Sequence, residues 1–424
     1  MAFIRVCVLV FVAELIATDA VAPIPPNARP QPLPAEIVSE WEKVGAEVGW
    51  MSLDQDGRSR FRVAAEGRAG EVPGFRFPPK WNQLLGAPLE WKPEPGVFKR
   101  LPVPTESSFG LELYLTKVTD TDLKDVARFT ELRALNLSGT TVTDVGMKEV
   151  AGLKRLQSLD LSNTPVTGLG VAELAGLKEL QSLNLIWAKV TDANASGLAE
   201  LKELRMLELS CTKVTDLGLK QLAGLQHLHS LHLTATGVTD EGLTEIAKLK
   251  NLRTLSLNHT PVTGVGFKGV AGFTELRTLD LTCSKVTDAG IKEVASLNQL
   301  QSLGLGATGI TDVGVKELSA LKDLQTLYLW STKVTDAGVK ELSALNKLQT
   351  LSFSETEVTD ASLKHLAGLN QLRTLILSST KVTDKGLQDL SGLTHLQNLQ
   401  IQKTAVSDAG ITHLMAFKEL RVLE

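Results

Sequence analysis

The sequence predicts an α/β fold: a right-handed solenoid with a parallel β-sheet on its concave face and helices on its convex face. Three observations carry this. A 24-residue period runs from Leu111 to Leu423 without a slip. Each period contains a Leu-x-Leu pair, whose alternation puts both leucines on one side of a short strand. Further along each period, apolar residues recur at helical spacing. A unit of strand, turn, helix and turn cannot bury its own apolar face, so stacking against its neighbours is what remains.

The bulk numbers agree. The chain has 424 residues, more than one ordinary core serves. Hydrophobic residues make up 43% but aromatics only 5%, a bias that suits a repetitive core of Leu and Val. Net charge is −4, from 44 basic and 48 acidic residues, so no basic excess points to a nucleic-acid partner.

Taken in order, residues 1–22 have the form of a signal peptide. Arg5 supplies the positive start, Val6 to Ala17 the apolar run, and Ala20-Val21-Ala22 the small-x-small cleavage site. The run is too short to span a bilayer. The expectation is an extracytoplasmic protein (secreted, periplasmic or at the cell surface) with no membrane span after signal removal. Residues 23–34, PIPPNARPQPLP, form a proline-rich, extended linker. Residues 35–110 do not repeat and are expected to cap the array. A helix is predicted over Ala35 to Val48, with Ile37, Trp41 and Val44 on one face. Two strands follow, near Gly49–Leu53 and Arg60–Ala64, joined by a turn at Asp54-Gln55-Asp56-Gly57. Four of the six tryptophans fall here: Trp41, Trp50, Trp81 and Trp91. An array needs such a cap because its first unit would otherwise expose core.

Residues 111–424 hold thirteen full repeats and the start of a fourteenth. One unit runs from Leu132 through Leu135, Leu137, Thr140, Val142, Asp144, Gly146, Met147 and Val150 to Leu153. Its pattern, LxxLxLxxTxVTDxGLxxLAxL, resembles the leucine-rich repeat family, in particular the ribonuclease-inhibitor-like and bacterial VTDxGL arrays. The resemblance implies a non-enzymatic scaffold that binds a protein partner, with no cofactor.

The residues give the same architecture independently. Met147, Val150 and Leu153 share a helix face, and Asp144 can cap that helix through its side-chain oxygen. Helices need about 8–10 Å between axes and strands about 4.8 Å, so the strands must line the shorter, inner arc. The threonine column at 140, with Ala188 and Ser284 as exceptions, has hydroxyls able to bond adjoining backbone, as has the column at 143. Cys211 and Cys283 stand three repeats apart in one column, roughly 14 Å, too far for a disulfide. Cys7 leaves with the signal peptide. The sequence ends at Glu424 inside a new strand, with no recognisable C-terminal cap.

Several patterns imitate chemistry. Gly264-Val-Gly266-Phe-Lys-Gly269 spells a dinucleotide fingerprint, but Gly266 is the ordinary repeat glycine and no strand–helix context with an acidic partner surrounds it. Glu208, His232 and Ser256 are neighbours on adjacent strands in the order of a nucleophilic triad, yet a smooth sheet face offers no oxyanion hole. His227, His229, His232 and His259 cluster without the convergence a metal needs, so no metal site is assigned. Columns of Ser and Thr beside the leucines brace the sheet; a glycan is the second partner class they suit.

Departures from the repeat mark candidate contacts. At Ile186-Trp187-Ala188 a tryptophan enters, and the next helix carries Asn194, Ala195 and Gly197 in place of Gly, Leu and Glu. At Tyr328 and Trp330 two rings stand beside Gly304 and Gly306. These rings either anchor a partner or cover the glycines and repair the sheet. The partner-binding set is therefore Tyr328, Trp330, Ile186, Trp187, His232, Glu208 and Asp280. Rival readings are an intracellular adaptor of the F-box leucine-rich repeat type, whose opening Leu33-Pro34-Ala35-Glu36-Ile37 resembles, a glycan-binding surface protein, and a structural spacer.

Overall fold

A computed structural model describes residues 30–54, 58–78, 80–82, 87–89, 91–269 and 272–424. The expected signal segment, Cys7, linker residues 23–29 and turn residues 55–57 lie outside the described residues.

The chain is an open solenoid. Strands pair in parallel, one per repeat, from Phe109–Glu112 to Val422–Leu423. They belong to a 17-stranded sheet with helices alternating between them. Register is set by the leucines: Leu135 aligns with Leu159, Leu207 with Leu231, Leu327 with Leu351. Both leucines of each pair are buried, and one continuous core runs from Leu33 to Phe417. The strands are short, commonly three residues, as at Ser158–Asp160. After each strand comes a residue in the left-handed region, Gly139 and Asn163 through Lys403, which turns the chain away from the sheet.

The threonine columns do what their hydroxyls suggest. Thr140 Oγ1 donates to Leu137 O at 2.6 Å, and Thr164, Thr212, Thr332 and Thr380 repeat the bond. Thr143 is the helix N-cap and accepts from Val145 N–H.

Asp144 differs from expectation. Its carboxylate does not cap its own helix but crosses to the next repeat, accepting from Thr167 N–H and Thr167 Oγ1, each at 2.7 Å. Sitting at the first helical position, it points at the neighbouring helix start, where the threonine N–H and hydroxyl await an acceptor. Asp312 takes a third bond, from Gly338 N–H at 3.0 Å. The repeat glycine follows from this. A Cβ on Gly338 would stand 2.4 Å from Asp312 Oδ1. The VTDxG motif is thus a staple between repeats as well as a helix start. Gly168 lacks the carboxylate, and the following repeat adapts: Asn194 replaces the glycine and its Oδ1 accepts from Thr191 N–H at 2.8 Å. What reads as a degraded helix is a self-capped 3₁₀ segment over Asp192–Glu200.

The N-terminal segment extends the same sheet. Helix α1 spans Ala35–Lys43 and buries Trp41. It stops short of the expected Val48 because Gly45 takes φ 94°, and the chain enters strand β1, Glu47–Leu53. Strand β2 covers Ser59–Arg62 and β3 Val72–Arg76. β1 pairs antiparallel with both, and β3 pairs in parallel with the first array strand, Gly74 against Gly110. Trp41 stacks on Phe75 at 4.0 Å and meets Phe129 of the first repeat at 5.4 Å. Its Nε1 donates to Pro102 O. Trp91 stacks on Phe77 at 4.0 Å, and Trp50 Nε1 donates to Ala64 O. Trp81 lies in a short hairpin formed by Lys80–Asn82 and Ala87–Leu89. Cys211 and Cys283 are thiols with no bridge between them.

Candidate binding surface

The residues between the two leucines of each strand form the concave face, since alternation sends them away from the core. In the first half of the array this column turns inward on its own backbone. Asn136 Oδ1 accepts from Ser138 N–H at 2.9 Å and Asp160 Oδ1 from Ser162 N–H at 2.8 Å. Asn184, Glu208 and Asp280 repeat the bond to Ile186, Ser210 and Thr282. An N–H at a strand end that the ladder does not use is satisfied two residues upstream. Glu208 and Asp280 are consequently buried, at 7% and 4% exposure. Burial pushes the Asp160, Glu208 and Asp280 carboxyls up, against the bonds that favour ionisation. Glu112 is pushed up to about 7 by burial and by the nearby Asp160, with Arg76 opposing. Burial also raises the Cys211 thiol to about 11, aided by the charge of Glu208. Burial draws the His259 imidazole down, with Asp280 opposing.

The triad-like order does not become a relay. Glu208 accepts from the Ser210 backbone, and Ser256 Oγ lies 3.0 Å from Thr234 Oγ1. The imidazole nitrogen His232 Nε2 faces the guanidinium of Arg58 at 2.6 Å. Among the described residues no group of three or more His, Cys, Asp or Glu gathers as metal ligands do. The fingerprint-like glycines fall in a short 3₁₀ turn, Val265–Phe267, entered through Gly264 at φ 91°.

The two ring-bearing sites differ. Trp187 is 43% exposed and occupies the left-handed turn position, with φ 61°. Ile186 beside it is half-buried and follows the second leucine of its pair, the position that Gly306 and Trp330 hold in later repeats. Tyr328 and Trp330 are both half-buried. The Trp330 indole lies over Gly306: a Cβ there would meet ring atoms at 2.2 Å. The space over Gly304 is taken from the other side, by the Asp280 carboxylate at 2.3 Å from a Cβ so built. Covering of a sheet glycine is therefore real for Trp330, while the space Gly304 leaves goes to Asp280.

Sequence reasoning missed Arg58. It lies 174 positions from His232, and nothing in the spacing joins them. The local signal is Asp54, whose Oδ1 accepts from Arg58 N–H and joins the two arms of the hairpin.

Profiles of leucine-rich repeats match residues 265–424, described as a leucine-rich repeat region, and residues 130–187 and 224–247, both described as leucine-rich repeat. Among solved structures, an internalin from Listeria monocytogenes is 27% identical, covering 71% of this chain and 82% of its own, with TM-score 0.56. A leucine-rich repeat protein from Leptospira interrogans is 22% identical, covering 74% and 83%, with TM-score 0.54. No curated protein matches the chain.

Proposed function

Because the chain belongs to the leucine-rich repeat family, whose fold is typical of protein–protein interaction scaffolds, we propose that it binds a protein partner through its concave face and catalyses no reaction. The observation that carries this reading is the face between Gly304 and Gln400. There the inward column gives way to half-buried Tyr328 and Trp330, with small Ser352 and Ser354 on the next strand. Two rings among small neighbours make the kind of anchor that dominates interfaces, where Trp and Tyr are enriched. Trp330 covers Gly306 with its ring and still keeps exposed surface, so the two roles coexist. Arg5, the apolar run and Ala20-Val21-Ala22 support a partner outside the cytoplasm.

The test is affinity capture with the mature chain beside the Tyr328→Ser, Trp330→Ser double variant. A partner retained by the first should bind the second about 2 kcal/mol more weakly, roughly 30-fold. Unchanged affinity in a double variant with an undisturbed melt rejects the anchor and moves the site to Ile186 and Trp187.

A further inference from the structure

We propose that the β1–β2 hairpin is a strap: Arg58, just before β2, ties it across the concave face to His232, and it must lift before a partner enters the stretch from Glu112 to His232. The inference rests on the reading of the concave face as the partner surface.

The path of the hairpin follows from named contacts. In the first array strand Phe109 and Leu111 are buried in the core, so Gly110 between them faces the concave side. A Cβ on Gly110 would stand 2.2 Å from Met51 Sδ. Met51 in β1 therefore lies on the concave face, and it pairs across the hairpin with Phe61. Phe61 covers Gly49 and carries the Arg76 guanidinium 4.7 Å from its ring centre. Beyond Leu53 and Ser59 the two arms are joined by two bonds, Arg58 N–H to Asp54 Oδ1 at 2.9 Å and Asp54 N–H to Arg58 O at 3.0 Å.

From the end of its arm Arg58 Nη2 reaches His232 Nε2 at 2.6 Å. His232 stands on the fifth strand beyond Gly110, about 24 Å away at 4.8 Å per strand. The guanidinium also lies close enough to act on the buried Glu208. A hairpin that only closed the end of the array would have no reason to send a cation five repeats inward.

What a lifted strap uncovers is acidic. The column reads Glu112, Asn136, Asp160, Asn184, Glu208, with no Lys or Arg in it. The segment that replaces the strap accordingly carries arginine or lysine, and Arg58 is the group it displaces.

The control lies on the same hairpin. Arg60 carries the same charge but is exposed. Full-length wild type, Arg58→Ala, Arg60→Ala and His232→Ala would be compared by hydrogen exchange and by binding of a fluorescent hexa-arginine peptide. Arg58→Ala should speed exchange at the hairpin tip and over residues 206–234, and tighten peptide binding about tenfold. His232→Ala, which removes the seat from the array side, should do the same, and Arg60→Ala should match wild type. Exchange in folded Arg58→Ala equal to that in Arg60→Ala overturns the strap. Faster exchange without tighter peptide binding overturns the gating. Both readouts are made without the natural partner, so they stand or fall separately from the Tyr328 and Trp330 test.

Discussion

The two halves of the concave face share one backbone geometry and use it differently. From Asn136 to Glu208, and again at Asp280, column side chains accept the N–H two residues on, and Glu208 and Asp280 among them are buried. From Gly304 to Gln400 the column holds Gly, Tyr, Ser, Ile and Gln. The difference teaches that a repeating strand does not by itself make a repeating surface. A short acceptor at the column position turns polar atoms inward, whereas a ring or an apolar group keeps its bulk at the surface.

The largest effect expected from that difference is kinetic. Cys211 sits beside buried Glu208 with its thiol raised from 9.0 to about 11. At pH 8 its alkylation by iodoacetamide should run roughly 100-fold slower than that of an ordinary cysteine, because only the thiolate reacts. A rate near that of a free thiol would show that the first half is not the enclosed surface described.

Next is the pH dependence of Glu112. Its folded-state pKa, about 7, lies above the ordinary 4.5. The folded chain therefore holds this proton more tightly than the unfolded chain, and stability falls as pH rises from 4.5 to 7. Glu112→Gln should stabilise the protein at pH 8 by up to about 3 kcal/mol and have little effect at pH 4.5. Equal melting shifts at both pH values would break the contrast.

In the second half the corresponding strain is steric. Gly306→Ala places a methyl group where the Trp330 ring lies and should cost about 1–3 kcal/mol in chemical denaturation. Adding Trp330→Ser should remove most of the further penalty from that clash, a coupling readable in a double-mutant cycle. The smallest effects compare like with like. Asn136→Ala loses its bond to Ser138 N–H and should cost about 1 kcal/mol. Gln400→Ala, in the second half, should stay within about 0.5 kcal/mol.

Much of this was legible in the residues. The period located every array strand, because leucine alternation and register are the same fact in a stacked sheet. Thr140 and Thr143 were readable as backbone partners because their bonds are local. Asp144 was assigned to the wrong helix, since a one-dimensional pattern shows the cap position nearest in sequence and not the neighbour 23 residues on. Tyr328 and Trp330 stood out as departures from the repeat, but that Trp330 lies over Gly306 while Asp280 fills the space at Gly304 depended on packing.

The sequence alone determined the period, the sheet, the core and the column order, because each is a local property repeated. Only the tertiary structure decided which column residues face outward and where the N-terminal hairpin goes. Those depend on contacts between distant segments, such as Arg58 with His232 and Met51 with Gly110. No periodicity encodes such contacts, because the hairpin occurs once and its seat is a single position in a repeating array.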